Sequence, residues 1–72
     1  MINAKELNDL IKLCNSFDAK ELSMDFSKLC AKALDNPNRD FTHECQVLID
    51  SYRSKKGPSM FTKELSSYID KC

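Results

Sequence analysis

Apolar residues recur along this chain at three- and four-residue steps, and the recurrence is interrupted three times. Leu7, Leu10, Ile11, Cys14 and Phe17 form the first run, and Leu22, Phe26, Leu29, Cys30 and Ala33 the second, with Leu34 on its flank. Phe41, Cys45, Leu48, Ile49 and Tyr52 form the third, and Phe61, Leu65, Tyr68, Ile69 and Cys72 the fourth. Steps of three and four place side chains on one face of a 3.6-residue repeat. The pattern predicts an all-α fold, a compact bundle of four short helices at approximately 4–15, 19–35, 41–55 and 59–71, in a single helical domain spanning residues 1–72.

The interruptions carry start and stop signals. Asn3 followed by Glu6 is a capping-box pair, and Ile2 with Leu7 has the spacing of a hydrophobic staple. Asp18 with Glu21, and Phe17 with Leu22, repeat both devices before the second helix. Asn36-Pro37 ends that helix, because a residue before proline is driven out of helical geometry. The third begins near Asp40 or Thr42 and stops at Lys55-Lys56-Gly57-Pro58, and the fourth starts at Pro58 or Ser59. Connections of about four to six residues are expected, as between antiparallel neighbours in a bundle. Residues 41–50 and 61–70 share the pattern Phe-Thr-x-Glu … Ile-Asp, which reflects one apolar face used twice.

Composition narrows the picture. With one Gly and two Pro among 72 residues, β-turns are few. Eleven basic residues balance eleven acidic ones, and the two signs interleave, so no long-range field selects a polyanion. There is no apolar stretch of signal-peptide or membrane-spanning length, so a cytoplasmic protein with reduced cysteines is expected, with no membrane partner.

Candidate chemistry is sparse. Cys14, Cys30, Cys45 and Cys72 all fall on or beside the apolar stripes and are too far apart in sequence for paired zinc ligands, so no metal is expected. His43 and Cys45, two residues apart on a helix, point about 200° from each other, which argues against a nucleophile–base pair. The lone Gly57 excludes glycine-rich phosphate cradles. No catalytic residue and no cofactor is expected. Cys30 and Cys45 lie on either side of Pro37, level in a hairpin, and read as two thiols of one core layer.

Three functional expectations follow. The first is a non-catalytic protein-binding module, an inhibitor, adaptor or regulatory subunit, whose contact surface uses apolar residues lying off the stripes: Leu13, Met24, Ala31, Val47 and Met60. Its partner is a larger protein, a second copy of the chain, or both. The second is a small nucleic-acid-binding regulator, with Arg53, Lys55 and Lys56 on phosphate and the fourth helix presenting Ser59, Thr62, Lys63, Ser66, Ser67 and Asp70. That helix has one Lys and no Arg, Asn or Gln on its reading face, so nucleic acid ranks lower. The third is an exported helical domain with Cys30 and Cys45 bridged.

Overall fold

Four α-helices and no strand make up the fold: α1 (Ala4–Ser16), α2 (Lys20–Asp35), α3 (Thr42–Lys56) and α4 (Met60–Lys71). Each boundary lies within one residue of the span expected from periodicity. The computed structural model describes all 72 residues, and its Cα radius of gyration, 11.2 Å, is that of a tightly folded chain of this length. One core holds the apolar stripes of all four helices, with Leu7, Leu10, Cys14, Phe26, Phe41, Cys45 and Leu65 fully enclosed. α1 and α2 form the closest pair, a helical hairpin, and α3 and α4 complete the enclosure.

The α1 start is as its residues dictate. The Asn3 side chain accepts the Lys5 N–H at 3.0 Å, and the Glu6 carboxylate accepts the Asn3 N–H at 3.0 Å. Ile2 and Leu7 are both fully buried. The α1–α2 corner departs from expectation. Asp18 does not cap α2; its backbone is left-handed, φ 58°, and the N-cap is Ala19, with no side-chain cap. The reason is the shortness of the corner. The Ala19 N–H reaches the Cys14 carbonyl (2.9 Å) and the Asp18 N–H the Asn15 carbonyl (3.2 Å), a Schellman termination of α1. A residue committed to that left-handed position cannot take the extended geometry of an N-cap.

Phe17 therefore leaves the α1 stripe. It is 40% exposed rather than buried, and its ring lies 5.1 Å from that of Phe61. Tyr52 meets the other side of Phe61 edge-on at 5.5 Å, so three aromatic rings tie the corner to α3 and α4. Cys72, expected on the α4 stripe, is exposed, and so is Leu34 on the flank of α2.

The remaining connections differ in length. Residues 57–59 make a three-residue turn, as do 17–19, both shorter than anticipated, while 36–41 span six. Ser59 is the N-cap of α4 and forms a capping box with Thr62, which is itself buried. The 36–41 connection is anchored to the N-terminus: Ile2 and Phe41 meet through a backbone hydrogen bond from the Phe41 N–H to the Ile2 carbonyl, 2.9 Å.

Candidate functional site

The five off-stripe apolar residues do not form one patch. Met24 (63% exposed) and Ala31 stand on the outer face of α2, joined there by Leu34 (69%). Val47, 52% exposed, lies instead on the wall of a groove between α2 and α3. Leu13 is half-buried beside Tyr68, in a shallow polar cleft between α1 and α4 lined also by Glu64, Ser67 and Lys71. Met60 opens α4 and is exposed, outside all of these clefts. Periodicity identified them as outward-facing but held no information on which helices would be neighbours.

The α2–α3 groove is the most apolar concavity of the molecule, about 350 Å³ in volume. Leu29 and Leu48 form its floor, Val47 one wall, and Asp25, Lys28, Lys32, His43 and Glu44 its rim. The groove lies where α2 and α3 are in modest contact. Glu44 is already engaged by Arg39, whose guanidinium also covers the Phe41 ring at 4.7 Å. Lys28 and Lys32 have no carboxylate within ion-pair distance. Farther along the same seam, the exposed Lys55 ammonium lies 3.6 Å from the Glu21 carboxylate.

The basic turn is partly neutralised. Arg53 lies 3.4 Å from Asp50 and Lys55 pairs with Glu21, leaving Lys56 unpaired. All three sit in the last turn of α3, where cations complement the helix dipole. Thr62, expected among the outward residues of α4, is instead enclosed, and its hydroxyl donates to the Ser59 carbonyl at 3.0 Å.

The thiols occupy two kinds of environment. Burial pushes the Cys14 thiol up to about 12, and burial, with Glu44 nearby, does the same to Cys45. Such thiols are poor nucleophiles at neutral pH. Cys30 is half-buried against the core, its sulfur 3.7 Å from the Ala4 carbonyl of α1, whereas Cys45 is fully enclosed. All four cysteines are free. His43 is exposed while Cys45 is enclosed, so the two do face apart. No three His, Cys, Asp or Glu side chains converge on a common point. Tyr68 donates to Asp9 at 2.8 Å, linking α4 to α1, and partial burial and that carboxylate raise its pKa. No helix is long and apolar enough to cross a membrane.

Compared with protein-family models, curated proteins and solved structures, the chain has no match.

Proposed function

We propose that this chain is a non-catalytic protein-binding module that receives an acidic amphipathic helix of a larger protein in the α2–α3 groove. The observation that carries the reading is the combination of an apolar floor and wall, Leu29, Leu48 and Val47, with two uncompensated cations, Lys28 and Lys32, on the α2 rim. A helix laid in such a groove covers apolar surface on one side and offers carboxylates to the rim, the usual helix-in-groove mode. Exposed aliphatic surface supplies affinity, while the unpaired lysines supply orientation and selectivity. Regulation of a larger assembly, as an inhibitor or adaptor in the cytoplasm, is the role such a module would serve.

Direct nucleic-acid binding is the weaker reading, because Arg53 and Lys55 already face carboxylates and only Lys56 is free for phosphate.

The test is a comparative pull-down with wild type, Val47→Asp and Met60→Asp. A protein retained by wild type and Met60→Asp but lost from Val47→Asp supports the reading. Its acidic helical segment, added as a peptide, should then shift the amide signals of Val47 and Leu48. If Val47→Asp retains the same proteins as wild type, the groove is not the contact.

A further inference from the structure

The lining of the α2–α3 groove holds as many carboxylates as ammonium groups. Lys28 and Lys32 share its rim with Asp25 and Glu44, so with His43 counted as neutral the lining has no net charge. On that lining alone an acidic helix gains little, because attraction to each lysine is offset by repulsion from a carboxylate.

The two carboxylates are not equivalent. Asp25 lies toward one end, where it and Leu48 also line the neighbouring cleft with Tyr52 and Lys56. No cation stands within 4.0 Å of it. Glu44, in the first turn of α3, is instead paired with Arg39. Arg39 is not part of the groove lining; it comes from the connection between α2 and α3.

Three contacts hold Arg39 in place. Its backbone N–H reaches the Asn36 carbonyl at 3.1 Å, its guanidinium lies over the ring of the fully buried Phe41 at 4.7 Å, and the same guanidinium meets Glu44. A planar guanidinium can lie on a ring and offer its N–H groups to a carboxylate at once. The Glu44 side chain is only 28% exposed, so water screens its charge incompletely and the cancellation falls to Arg39.

We infer that Arg39 sets the charge selectivity of the groove: by neutralising Glu44 it makes the mouth net cationic, and so admits a helix that carries carboxylates. This rests on the groove being the docking site proposed above. Arg39 is a positioning residue, acting through Glu44 and not through the apolar floor. An ordering follows. Loss of Arg39 uncovers a carboxylate, loss of the Glu44 charge leaves an extra cation, and loss of both restores the wild-type balance. At the separations of a groove mouth near a protein surface, one such charge changes affinity by roughly three- to fivefold at low salt.

The test uses two synthetic peptides of about eighteen residues, long enough to form a helix. Both carry leucine at i, i+3, i+4 and i+7; the flanking positions are glutamate in one and glutamine in the other. Binding to the full chain is read by anisotropy of a fluorophore on the peptide. Arg39→Gln should bind the glutamate peptide about three- to fivefold more weakly than wild type and the glutamine peptide equally well. Glu44→Gln should bind the glutamate peptide more tightly than wild type, and Arg39→Gln/Glu44→Gln about as tightly. These differences should shrink in about 0.5 M salt.

An Arg39→Gln variant that loses affinity for both peptides alike has lost shape and not charge, which overturns the assignment. A double variant as weak as Arg39→Gln alone does the same. If Arg39→Gln folds poorly by circular dichroism, Glu44→Gln decides, and its having wild-type affinity for the glutamate peptide overturns the assignment. Wild type that binds neither peptide, or binding that survives Val47→Asp, removes the groove reading itself and this inference with it. Binding lost in Val47→Asp but indifferent to Arg39 and Glu44 removes the role of Arg39 alone.

Discussion

The Asp40 carboxylate accepts the backbone N–H of Ile2 at 2.9 Å, across 38 residues of sequence. The same oxygen accepts the Thr42 N–H (3.1 Å) and hydroxyl (2.6 Å), so one side chain both caps α3 and holds the N-terminal segment in place. The Ile2 side chain, fully buried, is thereby fixed in the core. These bonds, the one from Ile2 foremost, favour the ionised form and hold the Asp40 pKa at about 2, below its ordinary 3.8.

A depressed folded-state pKa means that the charged form stabilises the fold. That contribution is complete above the ordinary value of 3.8 and is lost as pH falls toward about 2. Thermal melts of wild type should therefore decline across this acid window. In Asp40→Asn the decline should be shallower, because the asparagine has no proton to take up. Equal acid slopes in the two proteins would remove Asp40 from this role.

Phe26 tests the core. It is fully enclosed, and truncation to alanine leaves a cavity worth roughly 3–5 kcal/mol. A domain of this size has a total stability of only about 4–10 kcal/mol. Phe26→Ala should consequently be largely unfolded or melt far below wild type in a denaturant titration, whereas Leu34→Ala, at an exposed site, should melt within about 0.5 kcal/mol of it.

Gly57 ends α3 at φ 82° and ψ 162°, a backbone region open essentially to glycine alone. A Cβ placed there would meet nothing within 4 Å, so the cost of Gly57→Ala is backbone strain and not a clash. Chemical denaturation should show a loss of roughly 1–3 kcal/mol. Ser59→Ala, two residues on, removes the α4 cap and should cost about 1 kcal/mol, as should most side-chain caps of this type.

Alkylation should sort the cysteines. In the native protein at neutral pH, iodoacetamide should label Cys72, which is exposed, then the half-buried Cys30 more slowly. Cys14 and Cys45, enclosed and with pKa values near 12, should remain unmodified until denaturant is added. Intact mass before and after unfolding reads the count. Fast native labelling of Cys45 would place it outside the core.

What could be read from residue order alone is what depends on neighbours within a turn or two. The four apolar repeats, the Asn3–Glu6 box and the Gly57 stop are all of this kind, since their determinants lie three to seven residues apart. The thiols Cys14 and Cys45 fall on their stripes for the same reason. Local rules failed where two of them competed for one residue: Asp18 matched an N-cap pattern but is consumed by the termination of α1. They also failed for Phe17, whose helical phase is close to the stripe but whose position beyond the last turn of α1 carries it to the surface.

Everything that joins distant parts of the chain was decided by the tertiary structure. The Ile2–Asp40–Phe41 tie, the stack of Phe17, Phe61 and Tyr52, and the Tyr68–Asp9 bond all unite residues with no shared local pattern. So did the sorting of the outward apolar residues, with Val47 assigned to a groove and Met24 and Ala31 to an open helix face. Helical phase sets the direction in which a side chain leaves its own axis, but the packing of α2 against α3 determines whether that direction meets a neighbouring helix or solvent.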